Sequence, residues 1–171
     1  MEYNILDFIQ CYIRSEWLDR CMVWITQLGN GGMIWILCTI LLLLIPKTRK
    51  AGIAMAIALG IEVICCNGIL KPLVARIRPC DLRPETVLLI AHPSGYSFPS
   101  GHTASSFAAA FSLCFSRNKL WIPAMALAAL IGFSRLYLYV HFPSDVLAGI
   151  VLGALCGWAG AFTANRLFRK K

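Results

Sequence analysis

The sequence predicts an all-α integral membrane protein, a polytopic transmembrane bundle of about five spanning helices behind an amphipathic N-terminal segment, with six spans also open. Three observations lead there. The 171 residues are 58% hydrophobic and only 14% charged, far more apolar than a soluble domain of this size. The apolar residues come in long uninterrupted runs. The charges gather in the short turns between those runs and at the C-terminus. Length allows one domain over 1–171, divided into an interfacial segment, 1–28, and a transmembrane bundle, 31–164.

Residues 3–28 mix apolar and charged positions. Ile5, Leu6, Phe8, Ile9, Tyr12 and Ile13 share one helical face, with Asp7, Arg14 and Glu16 elsewhere. This predicts one or two amphipathic helices lying at the membrane interface, or a tilted first span. The segment has no basic n-region and no small-residue cleavage site, so it does not read as a signal peptide. Gly31–Ile45 is the first clear span, closed by the basic turn Pro46–Lys50. Ala51–Leu70 is the second. A proline-rich polar loop covers 79–98. Ser100–Ser116, rich in small residues suited to close helix packing, is the third span. Leu120–Val140 and Ser144–Ala164 are the fourth and fifth.

The net charge of +8 does not indicate nucleic acid, because the cations occupy loops and no aromatic–basic surface pattern accompanies them. With five spans, Lys47, Arg49, Lys50, Arg117, Lys119, Arg166, Arg169, Lys170 and Lys171 fall on one side, which the positive-inside rule makes cytoplasmic. Lys71, Arg76, Arg78, Arg83 and Arg135 then fall on the outer side against that rule. An anionic ligand is one reason for them. The eight cysteines form no C-x-x-C pair and mostly sit in apolar runs, as small hydrophobes do.

The polar chemistry lies in three clusters, all at the outer end. Lys71–Pro79 holds Lys71 and Arg78, a point charge and a planar donor fork suited to phosphate oxygens. Snorkelling at a helix end is the simpler alternative for either. Pro99-Ser100-Gly101-His102 opens a helix, where free N–H groups and the dipole favour an anion. Gly101 permits close approach, and Ser100 either caps the helix or donates to an oxygen. Ser134-Arg135, His141 and Asp145 form the third. Pro143 suits a first helical turn, which puts Asp145 where its carboxylate reaches back toward His141, fixing the tautomer and leaving the other nitrogen as a nucleophile. Two His and a carboxylate also form an iron-binding triad. Lys71, Arg78 and Arg135 would surround that cation with like charge, so phosphoryl transfer without metal or cofactor is the preferred reading. Glu62 is a carboxylate in the middle of the second span, costly unless paired or protonated. His92 reads as incidental or as a substrate-loop residue.

These clusters resemble the tripartite signature of the type 2 phosphatidic acid phosphatase superfamily of lipid phosphatases. The signature runs K-x6-R-P, P-S-G-H, S-R-x5-H-x3-D. Lys71, Arg78 and Pro79 match the first part, Pro99 to His102 the second, and Ser134, Arg135, His141 and Asp145 the third. The resemblance implies that His141 attacks phosphorus to give a phosphohistidine, Asp145 orients it, and His102 protonates the leaving oxygen and then helps activate water. Lys71, Arg78, Ser100, the Gly101 amide and Arg135 would hold the phosphate. No metal is implied. The expected enzyme sits in a bacterial inner membrane with an extracytoplasmic site that takes its lipid from the bilayer. The outward site favours a polyprenyl diphosphate such as the cell-wall carrier, with phosphatidylglycerol phosphate or phosphatidic acid as alternatives. A non-enzymatic lipid-binding or transport protein is the reading from another class. Oligomeric state is not legible.

Overall fold

The computed structural model describes residues 1–169; Lys170 and Lys171 of the predicted cytoplasmic tail lie outside them. The described residues form helices and connecting segments with no strand. In order these are α1 (Glu2–Phe8), α2 (Glu16–Leu28), α3 (Met33–Leu44), α4 (Arg49–Val63), α5 (Lys71–Val74), α6 (Pro79–Leu82), α7 (Gly101–Phe115), α8 (Trp121–Tyr137) and α9 (Pro143–Arg169). The five apolar runs of the sequence correspond to α3, α4 with its extension, α7, α8 and α9.

Arg49–Leu82 and Pro143–Arg169 are long and apolar enough to cross a membrane, and Glu16–Leu28 with Asn30–Leu44 qualifies as a pair bent by 47°. α8, with 17 residues, reaches only ~26 Å at ~1.5 Å per residue. α7, with 15 residues, is shorter still and lies largely inside the bundle. Ten of its 15 residues are buried.

Small residues let α7 sit that deep. Gly149, Gly153 and Gly157 recur every fourth position along α9 and face α7. A Cβ at Gly153 would lie 2.7 Å from the Ala104 carbonyl oxygen, and one at Gly157 2.8 Å from the Ser112 nitrogen. No side chain fits there, so the two backbones pack in direct contact, which is how helices associate when lipid removes the hydrophobic drive. One turn on, Gly160 meets Ala54 and Ala58 of α4 in the same way. On the opposite flank, the buried indole Nε1–H of Trp35 donates to Ser106 Oγ at 2.9 Å and ties α3 to α7.

Two irregularities position the site. Between α4 and α5 the helix widens into a π-helical segment, Ile64–Leu70, and α5 stops at Ala75, whose φ of 48° turns the chain out. Between α2 and α3 the chain breaks at Asn30–Gly32, where Gly31 and Gly32 take φ of 58° and 69°. The expected amphipathic character of 1–28 is present, with Phe8, Tyr12, Trp17 and Trp24 exposed. The segment is also built into the bundle. Leu6 is fully buried against Tyr139 and Phe142, and Ile9 and Met22 pack with Tyr137 and Val140.

Candidate active site

A cavity of about 660 Å³ opens where the end of α4, the start of α7 and the α8–α9 corner converge. Six of the eight residues singled out from the sequence line it: Lys71, Arg78, Gly101, His102, Arg135 and His141. Asp145 and Ser100 stand behind the wall and are fully buried.

His141 lies just after α8, 3% exposed. Arg78 Nη1 donates to its Nε2 at 3.2 Å. A guanidinium has no acceptor, so Nε2 holds its lone pair and Nδ1 carries the proton. That proton faces Asp145 Oδ2 at 3.6 Å and Ser97 Oγ at 3.4 Å. The Asp145 contact is a close polar approach rather than a fully formed hydrogen bond. Burial pushes the imidazole down to about 4, with Arg135 and Arg78 acting in the same direction against the pull of Asp145. The ring is therefore neutral at pH 7, with its free lone pair at the cavity wall.

Asp145 is held from three sides. Ser97 Oγ donates to Oδ2 at 2.5 Å, the Phe142 amide donates to the same oxygen at 2.8 Å, and Arg76 Nη1 donates to Oδ1 at 2.6 Å. Arg76 spans further, to Glu2 Oε2 at 2.6 Å and Ser144 Oγ at 2.6 Å, and its guanidinium stacks 4.1 Å over the Phe142 ring. Glu2 in turn accepts from the Ser144 amide and hydroxyl. Ser97, Arg76 and Glu2 were not recognised from the sequence as parts of the site. Arg76 stood among the outer cations, and an anionic ligand was the reason offered for them. The structure corrects that for two of the five. Arg76 answers Asp145 and Glu2. Arg83 answers Asp7 at 2.9 Å and the Tyr139 hydroxyl at 2.9 Å, and sits over the Tyr3 ring. Lys71, Arg78 and Arg135 alone among the five face the cavity.

Arg78 is 4% exposed and aimed by carbonyls. Nε donates to Gly95, Nη1 to Val140, and Nη2 to Ser94 and Tyr96. The loop 79–98 thus serves to cage one guanidinium. His92 lies on this loop and pairs with Asp81 at 2.7 Å. With Cys80 these place metal-ligand atom types within 4.8 Å of one another, away from the cavity wall.

Arg135 is 2% exposed. Its Nη1 donates to Thr26 Oγ1 of α2, and its Nε has no partner among the described residues. His102 Nε2 donates to Asn30 Oδ1 at 2.8 Å. Gly29 makes room for that ring, since a Cβ there would lie 2.8 Å from His102 Cδ2. Thr26 comes from the last turns of α2 and Gly29 and Asn30 from the break that follows it, where no sequence signal marked them. Gly101 sits where a Cβ would lie 3.5 Å from Lys71 Nζ, so the first amides of α7 and the Lys71 ammonium share one small space. Ser100 takes the capping alternative: its Oγ accepts from the Thr103 hydroxyl at 2.9 Å and caps α7, turned from the cavity. Its amide donates to the Asp145 carbonyl at 3.1 Å, locking the starts of α7 and α9 together.

Cations, an open helix start and a lone-pair imidazole on one wall form a place for a phosphoryl group. The comparisons with known proteins agree. A family model described as the PAP2 superfamily matches residues 49–169. The chain is 36% identical over 144 residues to an undecaprenyl-diphosphatase of Sulfolobus acidocaldarius, covering 84% of this chain and 69% of that one. It is 35% identical over 156 residues to phosphatidylglycerophosphatase B of Bacillus subtilis, covering 84% and 73%. The crystal structure of Aquifex aeolicus LpxE superposes with a TM-score of 0.80 at 28% identity, over 93% of each chain. That of a transmembrane PAP2-type phosphatidylglycerolphosphate phosphatase from Bacillus subtilis superposes with 0.74 at 28%, over 99% of this chain and 85% of that one. The chain belongs to the PAP2 superfamily of membrane lipid phosphatases.

Proposed function

We propose that this phosphatase hydrolyses a polyprenyl diphosphate through a phosphohistidine, at a site on the extracytoplasmic face of the cell's inner membrane. The observation that carries the mechanism is the His141 tautomer. Nε2 offers its lone pair at the wall that Arg78, Arg135 and Lys71 share, while Nδ1–H faces Asp145.

In the first step His141 Nε2 attacks phosphorus. Arg78 leaves Nε2 for a phosphate oxygen, joined by the free Nε–H of Arg135, Lys71 and the amides at Gly101. The phosphorus–oxygen bond to the lipid breaks, and His102, which takes up a proton as the phosphate anion enters beside it, gives that proton to the leaving oxygen. The phosphohistidine keeps its Nδ1 proton and so carries a positive ring, which Asp145 balances. In the second step water attacks phosphorus, His102 takes the water's proton, and the phosphorus–nitrogen bond breaks to release inorganic phosphate and restore Nε2. Asp145 remains an anion throughout. Ser100 contributes by fixing the helix start rather than by touching phosphate.

Similarity to an undecaprenyl-diphosphatase supports the polyprenyl reading. The likeness to phosphatidylglycerolphosphate phosphatases supports phosphatidylglycerol phosphate as the second reading. The outward site rests on charge: the turns bearing Lys47, Arg49, Lys50, Arg117 and Lys119 lie at the other end of the bundle, and such turns stay cytoplasmic. The test compares phosphate release by purified wild-type protein on a C55 polyprenyl diphosphate, phosphatidylglycerol phosphate and phosphatidic acid, with His141→Ala alongside. The diphosphate should give the highest kcat/KM, and the variant should lose on the order of 10³-fold or more while staying folded in detergent. Preference for either phosphoglycerolipid overturns the substrate. Retained activity in His141→Ala overturns the nucleophile.

A further inference from the structure

The cavity continues past the phosphate site toward the membrane interior, along a half walled by Ile36, Leu59, Gly60, Glu62, Val63 and Asn67. Five of these suit a lipid's apolar stem or tolerate it. Glu62 does not. It is 2% exposed, the Cys66 thiol one turn on is within reach of its carboxyl, and its Oε1 has no hydrogen-bond partner among the described residues. No salt bridge reaches it among the described residues; Lys71 lies further up the same cavity. A buried polar atom with no partner costs free energy, and an ionisable group at membrane depth marks a functional position. The mechanism above does not use it.

We infer that Glu62 forms a second polar subsite, whose carboxylic acid donates a hydrogen bond to the non-reacting oxygen that lies between the lipid's scissile phosphate and its tail. This deepens the lipid-phosphate reading and rests on it. The direction of the bond follows from the ligand. Whether that oxygen is the inner phosphate of a diphosphate or the ester carbonyl of a phosphoglycerolipid, it is an acceptor, and a carboxylate would meet it lone pair to lone pair. The position follows from the wall: the phosphate is held by Lys71, Arg78 and Arg135 at the rim, and Glu62 is below them, where the next polar atom of a lipid entering tail-down arrives. The π-helical segment between Glu62 and Lys71 puts both on the cavity side. Such segments recur at functional sites.

The test compares wild type, Glu62→Gln and Glu62→Ala on three substrates: a C55 polyprenyl diphosphate, phosphatidylglycerol phosphate, and p-nitrophenyl phosphate, which has no tail and no second polar group. The quantity read is the ratio of lipid to p-nitrophenyl phosphate kcat/KM. Glu62→Gln keeps a donor and should hold that ratio within about threefold of wild type; Glu62→Ala should lower it about tenfold. A fall on both lipids identifies the donor as serving either acceptor. A fall on the glycerolipid alone identifies the ester carbonyl, and on the diphosphate alone the inner phosphate. An unchanged ratio in Glu62→Ala overturns the subsite, including when both rates drop together, as a merely structural role would produce. Glu62→Gln falling as far as Glu62→Ala overturns the donor assignment. Wild-type protein that hydrolyses p-nitrophenyl phosphate and neither lipid defeats the substrate reading itself, a result visible before any variant is made.

Discussion

The two histidines of the site are held by different parts of the chain. His141 is positioned from within 71–145, by Arg78, Ser97 and Asp145. His102 is positioned by Asn30 and accommodated by Gly29, both from the N-terminal region that precedes the matched family segment of 49–169. The same division runs through the cations. Arg78 is caged by the carbonyls of its own loop, whereas Arg135 leans on Thr26 of α2. The chain thus keeps its proposed nucleophile on the signature and delegates the settings of the proposed acid and of one proposed phosphate clamp to a separate region. Function should fail abruptly when the first region is cut and by degrees when the second is.

The largest effect that tests this division is at Arg76. Arg76→Ala leaves the fully buried Asp145 without its cation; because Arg76 itself is 27% exposed, the cost falls below the about 3–5 kcal/mol of a fully buried pair. Both the melting temperature in detergent and kcat should fall, kcat by on the order of 10²-fold. A variant with wild-type kcat would show that Ser97 and the Phe142 amide suffice to hold Asp145. Next comes Thr26→Val, which keeps the shape and deletes the acceptor of Arg135. About tenfold loss of kcat/KM is expected, with folding intact. No change would place Arg135 outside the clamp.

A smaller effect is expected at Asn30→Ala. His102 loses its orienting partner but keeps its slot beside Gly29, so kcat should drop about three- to tenfold and the arm of the pH–rate profile that reports the acid should shift. A shift in the other arm instead would assign Asn30 to His141. The smallest effect is that of a chelator. Excess EDTA should leave kcat within the error of the assay, because Cys80, Asp81 and His92, whose ligand atoms lie close together, do not line the cavity. Loss restored by a divalent ion would make that cluster part of catalysis.

The same division explains what could be read in the sequence. The helices followed from apolar runs, whose ends agree closely with α3, α7 and α8; the second run reaches past α4 to the end of the π-helical stretch at Leu70, and α9 continues beyond Ala164 to Arg169. The cavity-lining residues of the signature stood out because charge inside a greasy chain is rare and their spacing is fixed. Ser97 and Arg76 were hidden: one is a serine in a loop of serines and prolines, the other a cation among cations, and only the fold brings them to Asp145. Glu2, Thr26 and Asn30 were hidden more deeply, because they act across gaps of 70 or more residues and no periodicity records such a gap. The expected amphipathic segment was legible as an apolar helical face set among charged positions, and its inward duties had no pattern to betray them. The glycine repeat on α9 was visible as letters, but its meaning required knowing that α7 lies opposite.

The π-helical stretch Ile64–Leu70 acts as a phase setter. A π turn takes in roughly one residue more than an α turn, so the stretch advances everything after it by about 100° relative to an uninterrupted helix. Lys71 points at Gly101 only because of that offset, while Glu62, before the stretch, keeps the phase of α4. Straightening the stretch into a regular α-helix without changing its length would therefore act as a rotation, swinging the first cation of the signature out toward lipid. Deleting one residue within 64–70 would instead absorb the irregularity and leave Lys71 in its present phase.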